Sequence, residues 1–432
     1  MLRWAIIGRM GSISSQPKSP TPILDLESPL GEKRRGSWRG WAIATVFVLL
    51  PLVLGFWVIP TVLIFAQDKP GALAIIRYFD TTSDALSAAV GPISPLAFFL
   101  FYTLSLFLLI SIHEFGHLAA GRAVGFHFKA IRIGPLQFMR SAQGLKLTFQ
   151  RLSDLSGFAA IRIDKIQRLA RRYAIFIAGG PLANLLSALL IFVLFAILPL
   201  IHAHGLIRLA LQIFAALSIA IAIINLIPFR RTNGMYSDGG HLLHLARSLP
   251  KTRRLLCILA LLKQTDSGVP LKNLKRTWIV HACAHPDRSS DSLNAFWIAY
   301  LAESARDDVE QAAQHLEHCL SRFRYSSLYA QKMMLMEAAN FQAWFRGDEP
   351  KAEVWFRKSE RSGPAPFLNQ LRLKISMDWA GRRYDDLYKA WDQGRVHIES
   401  FPESPAKSVL LNAWLEWKDE IQKRRTVRES AC

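Results

Sequence analysis

Cysteine is scarce in this chain: four in 432 residues, at Cys257, Cys283, Cys319 and Cys432, with no CxxC and no close pair. That spacing excludes a disulfide framework and a zinc ribbon, and it fits a reducing compartment. The apolar core of Met1 to Ile7 is too short for a cleaved signal peptide. Acidic residues are also few, 33 against 53 Lys and Arg, which leaves a formal charge of +20. A soluble chain so basic points to nucleic acid as a partner. Here, however, long apolar runs fill the first 230 positions and are missing from about Pro250 onward. The membrane therefore becomes the first reading.

Four stretches are apolar for roughly the 20 residues a bilayer crossing needs: Trp41–Ala66, Pro95–Ala120, Tyr173–Pro199 and Leu206–Pro228. Lys and Arg set their orientation. Lys33, Arg34, Arg35 and Arg39 precede the first stretch, and Gly121 to Arg172 holds eleven basic residues against two acidic ones. The loop Gln67 to Ser94 is slightly acidic, and the one around His202–Gly205 is very short. Both termini and the long basic loop are expected to face the cytosol. Topology then accounts for most of the charge, and no nucleic-acid partner is expected. Within the basic loop, Phe126–Arg132 and Leu145–Gln150 alternate apolar and polar residues across a turn at Ser141–Gly144, the pattern of a β-hairpin resting at the membrane surface. Residues 1–40, rich in Ser, Pro, Gly and charge, read as a disordered basic cytosolic arm.

Near the cytosolic end of the second stretch lies His113-Glu114-Phe115-Gly116-His117. On a helix, positions i and i+4 share a face, so both imidazoles reach one cation. Zinc accepts neutral imidazole in a tetrahedral site with one position left for water. The intervening carboxylate has the chemistry to take a proton from that water. Ionisable groups inside a span are costly unless they face an interior cavity, so a cluster of them there reads as functional. Two histidines and a water leave zinc one ligand short. The candidate third ligand is Asp238, in Ser237-Asp238-Gly239-Gly240-His241, just after Pro228 ends the fourth stretch at the same cytosolic depth. His241 and His244 follow at helical spacing, either to orient ligands or to open an amphipathic helix.

These residues resemble the site-2 protease family of intramembrane zinc metalloproteases. The resemblance covers roughly residues 95–245 and rests on His113–His117, on Gly179-Gly180-Pro181-Leu182-Ala183-Asn184, and on Asn225-x-x-Pro228 followed by Asp238-Gly239. It implies a three-span core, one Zn2+ per chain held by His113, His117 and Asp238, and Glu114 as general base. It also implies a membrane-anchored protein substrate cleaved in or near the bilayer, with Asn184 and Asn225 as candidates to bind the substrate backbone or the oxyanion. Hydrogen-bonding between helices is the alternative role for these two asparagines. The link from Pro228 to Asp238 is longer and more polar than is usual in the family. The span Trp41–Ala66 is an addition to the core.

After Pro250 the chain turns helical and polar. Asn294–Ser321, Leu335–Ser359 and Gln370–Trp391 each read as helix, polar turn, helix, at a spacing near the tetratricopeptide period. Such stacks bind partners, so a cytosolic protein partner is one expectation and a purely stabilising tail the other. The expected fold is mainly α: a polytopic membrane protein with about four transmembrane helices, a small membrane-associated β-hairpin region and a C-terminal cytosolic helical-repeat-like domain. The expected divisions are arm 1–40, additional span 41–66, metalloprotease core 95–248 and helical domain 250–432. A bacterial plasma (inner) membrane is the default location for four spans with both termini inside. Two other functions compete. An inactive scaffold would not need Glu114, and a metal transporter would spread polar groups along several spans, whereas here they cluster at one depth.

Overall fold

The computed structural model describes residues 23–25, 95–141, 144–149, 157–197, 205–231, 234–247, 249–326, 328–360, 365–401, 403 and 405–430. The stretch Trp41–Ala66, most of the arm, and His202 and His204 lie outside the described residues.

Three apolar helices form the first half: α1 (Pro95–Ala123), α2 (Leu169–Ile197) and α3 (Gly205–Leu226). Helix α2 packs against both of the others. Two of the three, over Leu100–Ala123 and Leu169–Leu194, are long and apolar enough to cross a membrane, and α3 contributes a shorter apolar stretch, Ala210–Leu226. Of the four expected spans, these two are the ones that reach this length among the described residues.

The α1–α2 crossing is made by small residues. A Cβ on Gly116 would strike the Gly179 carbonyl and Ala183, and one on Gly179 would strike the Gly116 carbonyl and Ala120. Each helix thus presents a Gly-x-x-x-Ala stripe, and the two backbones touch, as in membrane helix pairs. Leu104 (66% exposed), Leu189 (55%) and Leu190 (58%) project outward. Apolar exposure on that scale is untenable in water and ordinary against lipid.

Between α1 and α2 lies an antiparallel sheet of β1 (His127–Ile133), β2 (Leu136–Ser141), β3 (Gly144–Phe149) and β4 (Phe158–Arg162), in the order β3-β2-β1-β4. The sequence pattern led us to expect a hairpin between Phe126–Arg132 and Leu145–Gln150, and the structure corrects it. β1 turns through Gly134 and Pro135 into β2, with Ile133 opposite Leu136, and β2 separates β1 from β3. Gly134 takes φ +56°, which glycine tolerates without strain. β3 is an edge strand whose Leu145, Leu147 and Phe149 share one exposed face.

A core of Phe126, Ile163, Phe176, Leu255 and Leu259 ties the sheet and α2 to α4 (Asp238–Arg247) and α5 (Pro250–Asp266). Beyond α6 (Arg276–Cys283) follow three helical hairpins, α7/α8 (Ser290–Ser304, Val309–Ser321), α9/α10 (Leu328–Trp344, Glu349–Glu360) and α11/α12 (Phe367–Ala380, Tyr384–Glu399), then α13 (Pro405–Ser430). The hairpin turns share one backbone device. Asp307, Gly347 and Arg382 all take left-handed φ (60°, 63° and 56°). The next amide in each turn then reaches back to the first helix: Asp308 to the Glu303 carbonyl, Asp348 to Gln342 and Arg383 to Asp378, at 3.0, 2.9 and 2.8 Å. This closes the carbonyls a helix end leaves open.

The stack is held by tryptophan and by buried ion pairs. Trp391 and Trp414 donate their indole N–H to each other's carbonyl, at 3.0 and 2.9 Å. Glu337, buried between α7, α9 and α11, accepts from Tyr300 (2.7 Å) and from Arg372 (2.6 and 3.0 Å). One segment from far upstream joins this stack: Ile23 and Leu24, a turn of 3-10 helix with Asp25, are 3% and 0% exposed within its main core cluster.

Candidate metal centre

His113 and His117 stand one turn apart on α1 and are both buried. Each ring is fixed by its Nδ1. That of His113 donates to the Asn184 Oδ1 (2.7 Å), and that of His117 donates to the Phe176 carbonyl (2.9 Å). The tautomer so defined leaves both Nε2 atoms as acceptors pointing to one place, 3.2 Å apart. Asn184 is itself held, because its Nδ2 donates to the Leu109 carbonyl at 3.2 Å. Its own carbonyl accepts from Ser218 on α3 at 2.7 Å. The sequence thus pairs a candidate ligand on α1 with an orienting amide on α2 that α3 braces.

Asp238 arrives from the other side. Helix α3 ends at Leu226, ahead of Pro228, and the longer polar link folds back on itself through a bridge between Arg230 and Tyr236. Ser237 N–H donates to the Phe229 carbonyl (3.0 Å), and Arg231 N–H donates to Met235 (2.7 Å). Ser237 Oγ then donates to the Ile227 carbonyl (2.7 Å) and accepts from Gly240 N–H (3.1 Å), capping α4 and placing Asp238 in its first turn. Gly239 is required there, since a Cβ would run into the Leu226 carbonyl. The tip of this link is pinned by the helical stack, where Ser290 N–H donates to the Gly234 carbonyl at 2.9 Å.

Asp238 Oδ2 lies 3.1 Å from His113 Nε2 and 3.6 Å from His117 Nε2. His113, His117 and Asp238 all offer ligand atoms within 4.8 Å of one another. The donor set fits zinc. Two atoms that each lie about 2.0–2.1 Å from a tetrahedral ion are about 3.3 Å apart, and the three edges here are 3.1, 3.2 and 3.6 Å. Gly180 keeps the space open, because a Cβ there would press on both histidine rings.

Glu114 is buried beside this cluster, within electrostatic reach of His113, His117, Asp238 and Arg231. Gly157, just ahead of β4, lies against its carboxylate, and a Cβ at that position would collide with Oε1. Asn225 is half-buried and donates to the Ile221 carbonyl of its own helix at 2.9 Å. His241 and His244 turn toward Tyr236, and His241 also toward Tyr173, with ring centroids 4.7–6.3 Å apart. Sequence reasoning passed over Gly157, the Phe176 carbonyl, Ser218 and Ser237. Of these, Ser237 alone carried a signal, as a Ser three residues before a Gly at a helix start.

Two imidazoles and a carboxylate beside a second carboxylate form the donor set of a metallohydrolase. Residues 101–203 match peptidase family M50, the site-2 protease family of membrane zinc metalloproteases. The match includes His113, Glu114, His117 and Asn184 and stops before Asp238. No curated protein and no solved structure matches the chain.

Proposed function

We propose that the protein is an intramembrane zinc metalloprotease that hydrolyses peptide bonds of membrane-anchored protein substrates. The observation that carries this reading is the convergence of His113, His117 and Asp238 at one point beside the Glu114 carboxylate. His113 Nε2, His117 Nε2 and Asp238 Oδ2 would hold the metal. When bound, zinc acidifies water toward neutrality and polarises a carbonyl. Glu114 takes the proton of the attacking water on its carboxylate and delivers it to the leaving amine. Asn184 acts through His113, fixing its tautomer. Asn225 is assigned to the substrate side of the site, for which its amide must leave the Ile221 carbonyl.

A peptide bond within a helix is shielded, so substrate unwinds and pairs with an edge. Strand β4 is the edge nearest the chemistry, since the residue before it touches Glu114, and strand addition there delivers an extended backbone to the base. Proline at Ala159 or Ala160 is expected to depress cleavage, whereas proline at Leu147 on the far edge leaves it intact. Equal effects at both edges would remove β4 from the reading.

Four crossings with both termini cytosolic are supported by parity. Ile23–Asp25 sit in the helical stack that follows α3, so an even number of crossings separates them. Helices α1, α2 and α3 give three, α3 being 22 residues and so about 33 Å long at about 1.5 Å per residue. The apolar run Trp41–Ala66 supplies the fourth. The positive-inside bias makes the shared side cytosolic, as for a bacterial plasma membrane protein. We assign residues 95–248 as the protease core and 250–432 as a cytosolic tetratricopeptide-like domain. Cleavage of labelled single-span substrates by detergent-purified wild type, beside Glu114→Gln, tests the proposal. Cleavage by the wild type alone supports proteolysis, and equal cleavage by both forms rejects the role of Glu114.

A further inference from the structure

Ile23, Leu24 and Asp25 are held by α8, α9 and α10 through a set of contacts unlike ordinary core packing. The Leu24 carbonyl accepts from two buried side chains, Gln342 Nε2 at 2.5 Å and Trp355 Nε1 at 3.3 Å. On the opposite side, the Glu317 carboxylate accepts the backbone N–H groups of Ile23 and Leu24. Side chains of the stack thus read the backbone of the segment from both sides, as a peptide-binding groove does. The Leu24 side chain enters the cluster of Leu316, Leu320, Ala338, Phe341 and Trp355. Asp25 lies at the rim, paired with Arg346 (2.7 Å) and Lys351 (3.4 Å). Gln342 and Trp355 are 0% and 1% exposed. Without an occupant, both donors would face an apolar cleft unpaired, so the groove is built to be filled.

We propose that the groove between α8, α9 and α10 is a recognition site for a short aliphatic–leucine–aspartate segment, occupied in the resting protein by the chain's own Ile23-Leu24-Asp25. The backbone contacts give affinity, the Leu24 pocket and the Arg346–Lys351 pair give selectivity, and tethering keeps the cis segment at high effective concentration. A protein carrying the same signature competes with the arm for the stack, which makes the arm an internal latch on the partner site. This inference is independent of catalysis.

The test uses the full-length protein in detergent and a fluorescent peptide of residues 18–30. Wild type, with its groove filled, is expected to bind the peptide at least about tenfold more weakly than Leu24→Glu, whose own arm cannot compete. Asp25→Lys, altered only at the exposed rim, should give a smaller rise and serves if Leu24→Glu fails to fold. Adding Arg346→Glu to Leu24→Glu should abolish binding of the wild-type peptide and favour one carrying Asp25→Lys. Equal binding by wild type and both arm variants, or no binding by any of them, overturns the proposal.

Discussion

The two halves of the molecule treat polarity in opposite ways. Around the candidate metal centre, leucines face outward and the buried polar groups of α1, α2 and α3 converge on one place. In the helical stack, the surface carries charges paired at one-turn spacing, such as Arg357–Glu353 and Arg395–Glu399, while tryptophans go inside. No tryptophan occurs between residues 58 and 277, and eight of the 12 lie from Trp278 onward. In lipid, helix pairs gain little from large apolar side chains, so small residues and close backbones make the contact. In water, large apolar volume removed from solvent holds the fold. One chain thus follows two solvents' rules, and the link between Phe229 and Ser237 is where they meet.

The sharpest break in that comparison is Gly179→Leu. It should destroy the α1–α2 crossing and with it metal retention, because backbone lies where the side chain would go; loss of bound zinc and of folded yield would be read together. In the stack, large aromatic side chains make the contact. There Trp391→Ala should cost about 3–5 kcal/mol, read as a fall in the thermal midpoint of the helical domain, with zinc content unchanged. An effect on zinc instead would mean the halves do not separate as described.

Asn184→Leu is a subtler probe. Without its amide oxygen, His113 loses the partner that fixes its tautomer, and metal affinity should drop by about 10–100-fold, measured by competition with a chelator. The smallest expected effect is on pH. Burial pushes His315 and His318 down to about 4 from the ordinary 6.5. Both are neutral in the folded stack, so their contribution is complete above 6.5 and is lost as pH falls from there toward 4, where the unfolded chain takes up protons first. Tryptophan fluorescence melts at pH 7.5 and 4.5 should show the stack destabilised at the lower value. His315→Gln with His318→Gln should flatten that difference.

Much of the centre was legible because its chemistry is local. His113, Glu114 and His117 lie on one turn of helix, and Asp238 follows the end of an apolar stretch. The sheet was less legible. Leu136–Ser141 breaks the alternation at Phe138-Met139, so the short Gly134-Pro135 turn went unread and a strand was missing from the expected order, although the turn at Ser141–Gly144 does join two strands. Gly157 has no periodicity to betray it, and its meaning appears only when β4 is laid beside Glu114. The seat of Leu24 was invisible for the same reason: three residues in a Ser- and Pro-rich arm carry no pattern that names a groove some 290 positions away.

The most direct test of the metal centre concerns Asp238, because it alone comes from beyond the matched segment. Zinc content would be measured by elemental mass spectrometry on purified wild type, Glu114→Gln, His113→Ala and Asp238→Ala. About one zinc per chain in the first two and loss of most of it in the last two is the expected result. Zinc that is missing from the wild type, or retained in full when Asp238 is alanine, would contradict the three-ligand site.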